Sequence, residues 1–345
     1  MPEPTDVRGP AVSPENNLPD VADAQAIVVG IDGSDASLNA LDFAVSEAKA
    51  TGRSIRLVGA YTIPSVAAAT IDVSYVPIDD SAVRAAVTES LKSAAEKVKS
   101  AGVSVEAVIE IGDAAGVLVD ESAQASLAVV GSRGRGGFAG RLLGTVSSAL
   151  PAHSHCPTIV VPVGWSKDQE RAPKQTSSFP LADSAGTHFQ FDEESETVEG
   201  PNFEGRVVVG VDAMGKESPA LWKAAELAEE RGTPLTVMGV ITTSIVGPEW
   251  LPSTEELKKF VERGTDKLEA ACKSVREKHP NLEVGWMLLD GQPSEALVRA
   301  SDTADILVVG TRGRGGFAGL LLGSTSQSVL PYSHCPTMVV SVKRD

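Results

Sequence analysis

The chain has 345 residues, 42% of them hydrophobic, with 30 basic against 46 acidic side chains and a net charge of −16. That length suits about two ordinary domains with adequate cores, and the acidic balance argues against a nucleic-acid partner, whose phosphates need a basic surface. Three cysteines are too few for a disulfide framework and read as reduced thiols in a cytoplasmic protein.

Residues 1–24 are rich in Pro and acidic residues without periodicity and are predicted to be a disordered tail, with neither the basic nor the apolar region of a signal peptide. No apolar run approaches the roughly 20 residues that span a bilayer, so no membrane partner is expected. Ala26–Ile31 reads as a short buried parallel strand. Asp32-Gly-Ser-Asp-Ala-Ser37 then turns into a helix with an apolar face of Leu38, Leu41, Val45 and Ala48, stopped by Gly52. Strands follow at Ile55–Tyr61, Val103–Ile111, Leu127–Val130 and Thr158–Val163. Helices are predicted between them from Ser81 to Ala101, from Ala114 to Ala125, and up to Ala152.

The second half repeats this order, with strands at Arg206–Val211, Leu235–Ile241, Glu283–Leu289, Ile306–Val309 and Thr337–Val342. Ser218-Pro219 reads as an N-cap followed by Pro at the first helical position, and Ser253-Thr-Glu-Glu256 as a capping box. Each half is thus β-α-β-α-β-α-β-α-β, which predicts α/β architecture: two tandem doubly wound domains, each a five-stranded parallel sheet flanked by helices. Between them, residues 165–204 lose periodicity and carry the acidic run Phe191–Glu199, as expected of an interdomain linker. The predicted units are therefore a tail at 1–24, domain 1 at 25–164, a linker at 165–204 and domain 2 at 205–345.

The halves also share a glycine-rich loop. Gly131-Ser-Arg-Gly-Arg-Gly-Gly-Phe-Ala-Gly140 returns as Gly310-Thr-Arg-Gly-Arg-Gly-Gly-Phe-Ala-Gly319, and His155-Cys-Pro-Thr158 as His334-Cys-Pro-Thr337. In an open parallel sheet a ligand binds at the carboxyl ends of the strands where the strand order reverses. Asp32, the end of the second strand near Ala60, and the loop Gly131–Gly134 with Gly144-Thr145 should converge there. Glycines let a backbone approach a ligand, and amides at a helix start cradle an anion. An ionised Asp32 suits the hydroxyls of a ribose or the edge of a base. Together these predict a nucleotide site, with sugar and base near Asp32 and phosphates over Gly131–Thr145.

The pattern Gly-x2-Gly-x9-Gly-[Ser/Thr] is complete in both copies, as Gly131, Gly134, Gly144, Thr145 and as Gly310, Gly313, Gly323, Ser324. It resembles the ATP-binding branch of the universal stress protein family, over the whole chain outside the tail and linker. The resemblance implies an adenine-nucleotide alpha hydrolase-like fold with strand order 3-2-1-4-5, and ATP as the ligand, with any Mg2+ held through the phosphates. Adenine and ribose contacts then map onto Asp32, Ala60 and Val130, and phosphate contacts onto Gly131, Gly134, Gly144, Thr145 and Val146. The second site comprises Asp212, Val240, Val309, Gly310, Gly313, Gly323, Ser324 and Thr325. The resemblance also implies a role in stress adaptation through conformation or partners, and an intramolecular pseudo-dimer, or a homodimer, with contact edges at Thr158–Val161 and Thr337–Val340. The second half departs from the pattern at Val211-Asp-Ala-Met-Gly-Lys216, which reads as one residue longer than its counterpart and lacks the freedom of Gly33 and the hydroxyl of Ser34.

Other readings of these residues are weaker. Gly134-x-Gly136-x-x-Ala139 fits a dinucleotide fingerprint but follows the fourth strand rather than the first. Gly210–Lys216 nearly spells a P-loop, yet Glu217 stands where a magnesium-binding hydroxyl belongs. His155-Cys156 and His334-Cys335 suit a turn histidine and a structural cysteine, since neighbours on an extended segment face opposite ways. No nucleophile or metal site is predicted, which leaves a slow ATPase or phosphotransferase, or an empty scaffold with structural glycine loops, as the alternatives.

Overall fold

Most of the short Val- and Ile-rich runs of both halves become strands buried on both faces, as parallel sheets covered by helices require, while the third strand of the first half, Val105–Ile111, stays partly exposed. The computed structural model describes residues 26–63, 80–134, 143–166, 201–215, 218–242, 254–311 and 322–341, together with the backbone of 187–189. The predicted tail, 1–24, and the acidic run lie outside these residues, as do Ser253, Lys216 and Gly313.

Domain 1 runs β1 (Ile27–Gly30), α1 (Asp35–Thr51), β2 (Ile55–Tyr61), α2 (Ser81–Ser100), β3 (Val105–Ile111), α3 (Ala114–Glu121), β4 (Leu127–Gly131), α4 (Thr145–His153) and β5 (Thr158–Val161). A short strand, β6 (Thr187–Phe189), precedes domain 2. Domain 2 follows with β7 (Val207–Val211), α5 (Pro219–Arg231), β8 (Leu235–Ile241), α6 (Thr254–Lys278), β9 (Val284–Asp290), α7 (Pro293–Ala300), β10 (Ile306–Gly310), α8 (Ser324–Val329) and β11 (Thr337–Val340). The third strand begins two residues later than its apolar pattern suggests, and the helix after it ends in a 3-10 turn at Ser122–Gln124.

The sheet order is β3-β2-β1-β4-β5-β11-β10-β7-β8-β9-β6. Each half therefore has the expected 3-2-1-4-5 order, and the two join as one continuous sheet through β5 and β11. That central pair is antiparallel, with Thr337 opposite Val160, Met338 opposite Ile159 and Val339 opposite Thr158. Ile159 and Met338 hold the same place in the two copies, so the register centres on a pseudo-twofold axis at the edges predicted to meet. Both cores cross this seam. Ile27, Val29, Ile159 and Val161 share one apolar layer with Val207, Val209, Met338 and Val340, and Val28, Val160, Val208 and Val339 share the other. Residues 165–204 are not wholly without structure. β6 lies parallel on β9, Trp165 meets Phe43 edge-on at 5.5 Å between ring centroids, and Phe203 is buried in the second domain.

Beside the seam, α1 packs on α5. Glu47, 1% exposed, pairs with Arg231, whose guanidinium also lies over the Phe43 ring, and Arg53 pairs with Glu230 at 2.9 Å. Burial pushes the Arg231 guanidinium below its ordinary value.

Candidate functional site

In each domain the strand order reverses between the first and fourth strands, where the carboxyl ends of β1 and β4, or of β7 and β10, open a cleft. In domain 1, β1 delivers Gly30, Ile31 and Asp32 to it. Asp32 Oδ1 accepts from the Ser34 amide at 2.9 Å and the Ser34 hydroxyl at 2.6 Å. Ser34 is also the N-cap of α1, accepting from the Ser37 amide at 3.2 Å. Gly33 makes this compact turn possible with φ at +76°. Two residues after the strand, the acid is thus fixed by the cap of the helix that follows.

The loop after β4 is held equally firmly. A Cβ on Gly131 would meet the Ala36 carbonyl oxygen at 2.5 Å, so only glycine lets α1 lie this close to β4. The Gly144 amide is consumed within the loop, donating to the Ser132 carbonyl at 2.8 Å and to Ser147 Oγ at 2.9 Å. The buried Ser147 hydroxyl in turn donates to Ser132 O at 2.7 Å. Gly144 therefore shapes the cradle rather than lending its own N–H to it. Thr145 and Val146, the first residues of α4, carry amides without intrahelical acceptors, the arrangement that receives anions.

Val58 and Ala60 from β2, Leu118 from α3 and Val130 from β4 make the apolar wall of this cleft, a cavity of about 300 Å³. Asp32, Ala60, Val130, Gly131, Gly134, Gly144, Thr145 and Val146 all line it. A Cβ on Gly134 would fall against Asp32 Oδ2. The carboxylate thus reaches toward the glycine loop as well as the sugar end expected for it.

Domain 2 repeats the arrangement with Asp212, Val240, Val309, Gly310, Gly323, Ser324 and Thr325 around a cavity of about 550 Å³. Gly313, like the arginines at 135, 312 and 314, lies outside the described residues. Asp212 Oδ1 accepts the amide of Met214 at 2.9 Å, and Met214 has no hydroxyl to add the second bond that Ser34 gives Asp32. The connection to the helix, residues 212–218 against 31–34 in domain 1, is longer by more than the one residue read from the sequence, yet no residue is inserted. Equal lengths of chain separate Asp32 from Gly52 and Asp212 from Gly232, the left-handed caps that end α1 and α5. What changes is the helix start, which Pro219 moves four residues downstream.

Several lining residues carry no motif. Leu118 and Leu297 face Gly30 and Gly210, where a Cβ would come within 2.9 Å of either leucine, and Phe260 and Met214 line the second cleft alone. The leucines were legible from the repeat, since both stand at equivalent places in α3 and α7. Phe260 had no such signal.

The two His-Cys pairs lie outside both clefts. Cys156 and Cys335 are buried beside Ser154 and Ser333, while the His155 and His334 amides donate to Ser122 and Ser301 at 2.9 and 3.0 Å. Burial raises the Cys156 thiol above its ordinary value and Cys272 to about 12. Among the described residues no three acidic, His or Cys side chains gather as a metal site, and no helix is long and apolar enough to cross a membrane.

A family model described as the universal stress protein family matches residues 24–162 and again 205–341. A universal stress protein of Mycobacterium tuberculosis (strain H37Rv) is 29% identical over 331 residues, spanning 91% of this chain and 95% of its own. A second from the same strain is 27% identical over 350 residues, spanning 92% and 96%. Among solved structures, a universal stress protein from Archaeoglobus fulgidus superimposes with a TM-score of 0.58 at 22% identity, covering 92% of this chain and 98% of that one.

Proposed function

The chain belongs to the universal stress protein family, and from that premise we propose that it is a cytoplasmic, stress-related protein that binds ATP in both of its domains. The observation that carries this reading is the convergence, twice in one chain, of an acid just past the first strand with a Gly-Thr or Gly-Ser loop after the fourth. In domain 1, Asp32 receives the ribose hydroxyls, Ala60 and Val130 flank the base, and Gly131 and Gly134 let the phosphates approach. The Thr145 and Val146 amides and the Thr145 hydroxyl donate to the phosphates. In domain 2, Asp212, Val240, Val309, Gly310, Gly323, Ser324 and Thr325 take the same parts, with Gly313 assigned by the motif. Any Mg2+ is held through the phosphates, because the described residues gather no ligand set of their own.

The output is conformational or through partners rather than catalytic. Among the described residues Asp32 is the one carboxylate lining the first cleft and is already engaged by Ser34, and no described His or Cys lines either cavity. Nucleotide-stripped protein titrated with ATP in a calorimeter tests the reading directly. Saturable binding at two sites is expected, with phosphate release no faster than background. Turnover lost on mutating the loops would replace this reading with the slow ATPase. No binding at all would leave the scaffold.

A further inference from the structure

The residues that follow the first strand of each domain align without an insertion but differ in hydrogen bonding. In domain 1, Ser34 caps α1 and Asp35 opens it. The Ser34 carbonyl accepts from the Leu38 amide at 3.1 Å and the Ser37 hydroxyl at 2.8 Å, and helical geometry gives the Asp35 carbonyl to the amide of Asn39. The equivalent residues of domain 2 are Met214 and Gly215, and α5 does not begin until Pro219. Pro219 stands where Asn39 stands and has no N–H. The helical donor for the Gly215 carbonyl therefore does not exist.

Lys267 supplies it from α6. Its Nζ donates to Met214 O at 2.7 Å and to Gly215 O at 2.8 Å. Leu91 and Leu268 pack over the equivalent strand glycines Gly59 and Gly239, which aligns α2 with α6 and places Ser90 opposite Lys267. Ser90 spends its hydroxyl on its own helix, donating to Ala86 O at 3.1 Å. One turn earlier, Val87 packs on Gly59 in α2, whereas α6 has Gly264. A Cβ there would lie 3.5 Å from Met214 Cε, so the Met214 side chain packs against this point of α6.

We propose that Lys267 is a positioning residue of the second cleft. Its ammonium does for the Met214–Gly215 turn what the first turn of α1 does in domain 1, and so holds Asp212 where a nucleotide's sugar meets it. This rests on the nucleotide reading above and deepens it, because the second cleft leans on α6 through Lys267, where α2 has Ser90 bonded within its own helix.

The test uses the full chain in an Asp32→Ala background, which weakens the first cleft so that ATP titration reads the second. Lys267→Met should weaken ATP binding there about tenfold, the order of one lost charged hydrogen bond. Lys267→Arg, which keeps two donors, should retain most of the affinity. Without ligand, hydrogen exchange over residues 211–215 should quicken in Lys267→Met, with the thermal melt unchanged because the side chain is exposed. Unchanged exchange would overturn the proposal, as would faster exchange with undiminished affinity, and in both cases ATP binding by the parent chain would still stand. A parent chain that binds no ATP overturns the nucleotide reading, and this proposal with it.

Discussion

The two domains keep the same frame and differ in how they fill it. From Asp32 to Gly52 and from Asp212 to Gly232 the chain covers the same span, yet α1 has 17 residues and α5 has 13. In domain 1 the acid, the cap and the helix form one local unit, because Ser34 both donates to Asp32 and caps α1. In domain 2 the turn is longer, its carbonyls are served from another helix, and the cavity is nearly twice as large. The difference teaches that a duplicated site is conserved at its backbone approach points, whereas the means of fixing them is free to change. The same holds at the seam. Glu47 of α1 corresponds to Leu227 of α5, so a charge on one side of the pseudo-twofold axis stands opposite an apolar residue on the other.

That asymmetry gives the largest expected effect. Arg231→Met strands Glu47, 1% exposed, without its cation, and should cost about 3–5 kcal/mol in a denaturant melt. Adding Glu47→Leu, which copies the residue domain 2 already uses, should recover most of it, because an apolar pair of similar volume often matches a buried ion pair. A double variant no more stable than Arg231→Met alone would show that the seam needs the charges themselves.

The acids come next. Asp32→Ala should weaken ATP binding in the first cleft by about 1–3 kcal/mol, the worth of hydrogen bonds to a charged group, or roughly 5- to 150-fold. Asp212→Ala should do the same in the second cleft. Calorimetric titration of each variant should show one site weakened and the other intact. Loss of both sites from one substitution would mean the clefts communicate through α1 and α5.

The caps should separate the domains more finely. Ser34→Ala removes the N-cap of α1 and should cost about 1 kcal/mol of stability, since Ser is among the preferred capping residues. Met214→Ser restores the domain 1 residue in domain 2 yet should gain nothing, within about 0.5 kcal/mol, because α5 starts downstream of it. A gain near 1 kcal/mol in thermal melts would show that the helix extends back to meet the new cap.

The sequence carried the scaffold well because its signals are local. Short β-branched runs, Gly52 and Gly232 as left-handed stops, and the doubled glycine loop each follow from one stretch of chain, and the apolar last strands suited the seam at β5 and β11. What stayed illegible depends on two distant segments meeting. Comparing Ser34 with Met214 suggested an inserted residue, because the missing serine and glycine disguise an unchanged length that only the matched helix ends reveal. Lys267 and Phe260 sit on an amphipathic helix like many surface residues, and nothing in their spacing tells that one bonds to the turn after β7 and the other lines the second cleft. Ser147 hides likewise. A serine in a helix carries no mark of the buried bonds it makes to Ser132 and Gly144.

A small effect on the fold is also expected at Gly144, and it decides what the glycine loop is for. If the loop were only a tight turn, its glycines would be needed for packing, as Gly131 is against the Ala36 carbonyl. Gly144 has no such need. Its φ of −80° and ψ of 172° suit any residue, and a Cβ would find its nearest neighbour 3.6 Å away, an ordinary contact. Gly144→Ala should therefore cost at most about 1 kcal/mol, the difference between glycine and alanine at an N-cap. The amide keeps its bonds to Ser132 and Ser147, so the cradle itself survives. A methyl group at the mouth of a phosphate site nevertheless obstructs the ligand. The expected result is a near-normal melt with weakened ATP binding in the first cleft alone. Unchanged binding would place the phosphates away from Gly144, and if Gly323→Ala in the second copy were equally silent, the glycines before both helices would be structural.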